Sequence, residues 1–267
     1  MEPLNWLKQT KDKPLFPELL WTKPQNNRQA GKLLIIGGSQ QNFSAVAETY
    51  NQATKAGIGS ARVILPNSLQ KAVGSFFPEA MFAPATLSGS FSSASVTEFL
   101  VEAGWADAVV LAGNLGNNSE TAIAIETFVN KFEGTLVIGG DAVELLAAST
   151  KALLVRPMTT LILRFPQLQH FLTAAGHPVA VTSSLDLLQI ITILNDFSNQ
   201  NSINIVTEYA SNISITVGGK VSTTKILKSP TSIAALMAFS AVWLLQNSNK
   251  PFEALSTAAV TLLENND

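Results

Sequence analysis

Three short stretches of this chain bring together residue types that could do chemistry. Gly37-Gly38-Ser39 follows four branched apolar residues, Leu33 to Ile36, and precedes a helical run from Phe43 to Ala53. Paired glycines let the backbone turn sharply and come close to a ligand. A strand-to-helix turn also presents amide N–H groups and a helix dipole, which together can hold an anion. Asn114-Leu115-Gly116 opens a loop running to Thr121 and into a helix, where a phosphate or ribose contact is one reading and an N-cap at Asn118 or Ser119 is the other. Asp141 follows a buried strand, at the end where α/β folds place their ligands. It either caps the helix that starts at Ala142 or serves as the candidate acid of the site.

Other groups are weaker candidates. Pro78-Glu79 supplies another carboxylate; Arg156 and Arg164 could each meet a phosphate or be plain surface charges. His170 and His177 have no partners at metal-ligand spacing, so no metal site is expected, and Glu208 reads as a solvated acid beside a hairpin.

The elements that must position these groups alternate. Strands are expected at Lys32–Ile36, Ala61–Leu65, Ala108–Leu111, Thr135–Ile138, Thr160–Leu163 and Val179–Val181. Helices are expected at Ser44–Ala56, Ser68–Phe76, Ser95–Glu102, Glu120–Phe132, Ala142–Ala147, Pro166–Leu172 and Leu185–Phe197. Such alternation implies crossover connections and a parallel sheet with helices on both faces. The last third differs: a strand at Asn204–Thr207, then Ser211–Val217 and Lys220–Thr224 around Gly218-Gly219, a strong hairpin signal. Helices at Ser232–Gln246 and Phe252–Glu264 close the chain. Residues 1–30 read as an irregular arm punctuated by Pro3, Pro14, Pro17 and Pro24. Its Trp6, Leu7, Phe16, Leu19, Leu20 and Trp21 are expected to pack on the domain or on a neighbouring subunit. Residues 31–267 read as a single domain.

Bulk composition narrows the function classes. Charged residues make up 13% of the 267, against a usual ~25%, so much of the chain is buried or covered by another copy, and a homo-oligomer is expected. A net charge of −2 gives no pull toward nucleic acid or anionic membrane. The absence of cysteine excludes disulfides and thiolate chemistry and fits a reducing cytoplasm. Met1-Glu2-Pro3-Leu4 has no basic-then-apolar pattern of a signal peptide. The apolar run from Ile233 to Leu245 is too short to cross a bilayer.

Taken in order, Gly37-Gly38-Ser39, Ser44-Ala45, Gly57-Ile58-Gly59, Pro78-Glu79, Ala112-Gly113-Asn114-Leu115-Gly116 and Gly139-Gly140-Asp141-Ala142-Val143 resemble the NAD(P)H-hydrate dehydratases. These are ribokinase-like enzymes of nicotinamide nucleotide repair, related to the carbohydrate kinases, and the resemblance covers about residues 28–265. It implies a carbon–oxygen lyase reaction: ADP or ATP with Mg²⁺ phosphorylates the hydrate's hydroxyl, and loss of phosphate restores NAD(P)H. It also implies an NAD(P)H-like ligand, with nucleotide contacts from Gly37, Gly38, Ser39, Asn114, Leu115, Gly116, Ser229, Thr231 and Ser232.

Measured against that family, the groups that move phosphate are replaced. The family's GTGD turn, with its catalytic Asp, corresponds to Ser229-Pro230-Thr231-Ser232; Pro230 removes an amide N–H, and Ser232 stands where the acid belongs. A Lys-Gly pair facing the phosphates corresponds to Glu208-Tyr209, and a Thr-Pro-His stretch falls near Leu163-Arg164-Phe165-Pro166. The expectation is a nucleotide-binding relative with reduced or absent catalysis, a pseudoenzyme. Two alternatives stand beside it: an active dehydratase or small-molecule kinase using a substitute acid such as Asp141, and a non-catalytic interaction subunit.

Overall fold

The computed structural model describes residues 5–24, 26–75, 77, 78, 80–227 and 231–265. Ten strands are formed by the described residues: β1 (Trp6–Gln9), β2 (Lys32–Gly37), β3 (Ser60–Pro66), β4 (Ala80–Ala83), β5 (Ala108–Gly113), β6 (Thr135–Ile138), β7 (Thr159–Leu163), β8 (Asn204–Tyr209), β9 (Asn212–Val217) and β10 (Lys220–Lys225). They make one sheet in the order β1-β10-β9-β8-β7-β6-β5-β2-β3-β4. Only β9 runs against its neighbours, through the hairpin expected at Gly218-Gly219.

Alternate residues along the central strands serve different layers. Leu33, Ile35, Val63 and Val110 point into one core, and Leu34, Ile36, Ile64 and Val109 into the other. A strand buried on both faces must be apolar throughout, which is why these segments are continuous Leu, Ile and Val. The first layer holds α1 (Pro17–Trp21), α2 (Ser44–Ala56), α3 (Gln70–Val73), α10 (Ile233–Gln246) and α11 (Pro251–Asn265). The second holds α4 (Val96–Ala103), α5 (Ser119–Lys131), α6 (Ala142–Leu145), α7 (Thr150–Val155), α8 (Phe165–Ala174) and α9 (Leu187–Gln200). Helix α10 is buried on every side from Ala234 to Leu244, packed between α2, α11 and the sheet, as a helix apolar all round must be. No helix among the described residues is long and apolar enough to cross a membrane.

Four sequence expectations need correction. Val179–Val181 is not a strand; both edges of β7, the strand before it in the chain, are taken by β6 and β8. Residues 1–30 are not irregular throughout, because β1 pairs in parallel with β10 and α1 begins at Pro17. The helix expected at Ser68–Phe76 is a 3₁₀ turn at Asn67–Leu69 and the single turn of α3, ending at Gly74, while Phe76 lies outside the described residues. In the arm, Leu19 is buried and Phe16 meets Phe252 edge to face, yet Trp21 is 88% exposed. The short β4 and α7 were not expected.

Candidate functional site

Parallel strands deliver their carboxyl ends to one edge of the sheet. There the ends of β5, β6 and β7 and the heads of α2 and α10 enclose a cleft of about 280 Å³. Its polar lining comes from Ser44 and Glu48 of α2, Asn114 after β5, Asp141 after β6, Arg164 after β7, and Ser232. A larger hollow, about 470 Å³, lies around Arg156. It sits at the opposite edge of the sheet, where β6 and β7 begin, and holds none of these groups.

The glycine turn is built first for packing. A Cβ at Gly37 would lie 2.6 Å from the Gly113 carbonyl oxygen and 2.8 Å from Val46, so β2 and β5 come this close only around glycine. Gly38 is left-handed, with φ of 87°. The amides of the turn are used within the protein: Gly38 N–H donates to Gly113 O and Ser39 N–H to Asn42 O, both at 2.9 Å. The head of α2 is closed in the same manner. Ser44 N–H donates to Asn42 Oδ1 at 2.9 Å and Ala45 N–H to Asn114 Oδ1 at 2.8 Å. Asn114 reaches that position from a left-handed backbone, φ 56°, a conformation asparagine tolerates better than most residues.

Asp141 does not cap α6 with its side chain. Its two carboxylate oxygens instead accept the Leu115 and Gly116 amides, each at 3.2 Å, and so hold the loop that follows β5. Burial pushes its pKa above the usual carboxylate value; the two amides pull the other way, and Glu144 adds to the rise.

At the head of α10, Ser232 is the N-cap, accepting Ala235 N–H at 3.4 Å and donating its hydroxyl hydrogen to Glu48. Thr231 N–H donates to Glu208 Oε2 at 2.9 Å. Glu208 is therefore half-buried and bonded to the helix head, not a merely solvated acid beside the hairpin.

The fold gathers Asn114, Asp141, Arg164 and Ser232 around one cleft, with the Gly37-Gly38-Ser39 turn joined to it through Gly113. Other candidates lie apart. Leu115 has its side chain in the second core and its amide on Asp141. Asn118 is the N-cap of α5, accepting Glu120 and Thr121 N–H. Arg156 spends all of its guanidinium donors on Val129, Phe132, Gly134, Pro157 and Thr159, which leaves none for a phosphate. His170 is exposed on α8, and His177 bonds Val179 in the turn beyond it. Glu79, Ser229 and Pro230 lie outside the described residues. Sequence reasoning missed Glu48. Its signal was position: four residues after Ser44, it shares that residue's helix face.

The comparisons with known proteins agree with this geometry. The family model described as NAD(P)H-hydrate dehydratase matches residues 33–241. A bifunctional NAD(P)H-hydrate repair enzyme of Methanothermobacter thermautotrophicus is 32% identical over 120 residues, 43% of this chain and 23% of that protein. The match thus spans under a quarter of that relative. A ribokinase-like superfamily protein of Enterococcus faecalis superposes with a TM-score of 0.71 at 15% identity, covering 98% of this chain and 88% of that one. The ADP/ATP-dependent NAD(P)H-hydrate dehydratase of Bacillus subtilis, co-crystallised with ATP and Mg²⁺, superposes with a TM-score of 0.59 at 13% identity, covering 88% of this chain and 79% of that one. With the ribokinase-like fold in place and most of its length matched, the chain belongs to the NAD(P)H-hydrate dehydratase family.

Proposed function

We propose that this chain binds a nucleotide in the cleft at the head of α10 and carries out the family's nucleotide-driven dehydration at a reduced rate or not at all. The observation that supports this is the Thr231 amide, which is taken by the Glu208 carboxylate, next to an N-cap serine in place of an acid. Moving a phosphoryl group requires N–H donors and cations aimed at the charge that develops. Here the Ser44, Ala45, Leu115, Gly116 and Thr231 amides already serve protein oxygens, and Arg164 is the one cation among the described residues of the cleft lining.

The groups present fit the neutral parts of a nucleotide better than its phosphates. Ser44, Asn114 and Ser232 can meet ribose hydroxyls or base edges, and Arg164 one phosphate. No group of three metal-ligating side chains is gathered among the described residues, so magnesium would enter with the phosphates it neutralises. Residues 31–267 act in this reading as one ligand-binding unit of a cytoplasmic homo-oligomer, with residues 1–30 laid along it.

The deciding experiment is turnover of NADH hydrate with ATP or ADP and Mg²⁺, beside a thermal-shift titration with the same nucleotides. The expected result is a nucleotide-dependent rise in Tm with turnover at least about a hundredfold below that of the Bacillus enzyme, the scale of losing one transition-state donor. Turnover near the Bacillus rate would end the reading of reduced catalysis. A second reading, an active enzyme with a substitute acid, is favoured by Glu48, whose carboxylate sits beside Ser232 in the cleft.

A further inference from the structure

We infer that Glu208 is a built-in competitor for the terminal phosphate of a bound nucleotide, a specificity device that weakens polyphosphate binding at the head of α10. The inference rests on the nucleotide-binding reading above. Helix α10 runs from Ile233 to Gln246, and its first amides and dipole favour a negative charge just ahead of it. The charge found there is the protein's own. Glu208, near the end of β8, places Oε2 at 2.9 Å from Thr231 N, a charge-assisted bond stronger than one between neutral groups.

Two further observations make this contact more than a chance surface bond. No lysine or arginine pairs with Glu208 among the described residues, where the one ion pair is Arg62–Glu102. Among the described residues its partner is the Thr231 amide, just ahead of the helix. Thr231 is also only 7% exposed, and its Oγ1 has no hydrogen-bond partner among the described residues. A buried hydroxyl normally finds a partner. The head of α10 therefore keeps one unused polar group beside one amide that a carboxylate already holds. A phosphate seeking that amide must displace Glu208 or sit against it, and like charges at that range repel.

Calorimetric titration of ATP, ADP and adenosine, with Mg²⁺, into the wild-type chain, Glu208→Ala and Glu208→Gln tests this. Glu208→Ala should bind ATP at least tenfold more tightly than wild type, with Glu208→Gln between them, while adenosine affinity stays the same in all three. Adding Thr231→Val to Glu208→Ala should remove part of the gain, which locates it at the helix head. Equal ATP affinity in all three proteins would overturn the inference and leave the nucleotide-binding reading standing. An equal gain for adenosine would also overturn it, because the substitution would then have opened the cleft in general. Failure of every protein to bind any nucleotide would overturn both.

Discussion

Burial holds the Asp141 carboxyl above its ordinary pKa of 3.8, although two backbone amides favour its charged form. Such a group binds more protons folded than unfolded at pH values between the two pKa values, so stability falls as pH rises through that window. The penalty is absent below the unfolded pKa and complete above the folded one. Against Asp141→Asn, which does not titrate, wild-type Tm should therefore gain as pH is lowered from about 7 to about 3; a constant difference across that range would contradict the assignment. Asp141→Ala should cost about 1–3 kcal/mol by chemical denaturation, because Leu115 and Gly116 N–H lose their acceptor. Glu48 is the other carboxylate in the cleft lining, exposed and bonded to Ser232. If the substitute-acid reading holds, Glu48→Gln lowers kcat by about 10²–10⁴, with nucleotide affinity unchanged. An unaltered kcat would reduce Glu48 to a partner of the α10 cap.

Among the elements, those with strong periodicity or long apolar runs were legible from sequence. Ser44–Ala56 and Thr135–Ile138 fall where expected. β4 and α7 were not: Ala80–Ala83 holds no β-branched residue to mark a strand, and the six residues Thr150–Val155 are too few turns for a helical period to register. Val179–Val181 failed for the opposite reason, since local β propensity cannot reveal that β7 has no open edge. Arg156 shows the same gap between composition and context. It resembles a phosphate ligand in sequence, yet it closes the carbonyl end of α5 through Val129 O and Phe132 O and clamps Gly134 and Thr159 at the starts of β6 and β7. A cation at a helix C-terminus is favoured by the dipole. Arg156→Ala should lower unfolding free energy by about 2–4 kcal/mol in urea, with ligand binding in the distant cleft unchanged. Arg156→Lys should recover little, since an ammonium lacks the planar fork that reaches five acceptors. A neutral Arg156→Ala would show that these bonds exchange freely with water.

For the whole molecule, the outline of the site was legible because parallel strands send successive loops to one edge, so motifs in chain order become neighbours in space. The pairings that define its character were not. Ser232 and Glu48 are 184 positions apart and Thr231 and Glu208 are 23 apart, and neither contact leaves a local pattern. The same holds for the N-terminal arm, where one buried polar residue adds to the β1–β10 pairing and the apolar contacts of Phe16 and Leu19. Gln9, 5% exposed at the end of β1, donates through Nε2 to Thr224 Oγ1 at 2.7 Å and Ser256 O at 2.8 Å, and its Oε1 accepts Leu15 N–H at 3.0 Å. One carboxamide thus joins the arm to β10 and α11, the last parts of the chain. Gln9→Leu keeps most of the volume but leaves Leu15 N–H and the buried Thr224 Oγ1 without these partners, a cost of about 1–3 kcal/mol. The loss should be local. Hydrogen exchange should show faster exchange in Trp6–Gln9 and in Lys220–Lys225, which pair in parallel, with β2 and β5 as protected as before. β9 covers the other edge of β10 and keeps the sheet closed when β1 lifts away. Uniform loss of protection across the sheet would instead make β1 part of the cooperative core, and no change at all would mean that Phe16 on Phe252 holds the arm without Gln9.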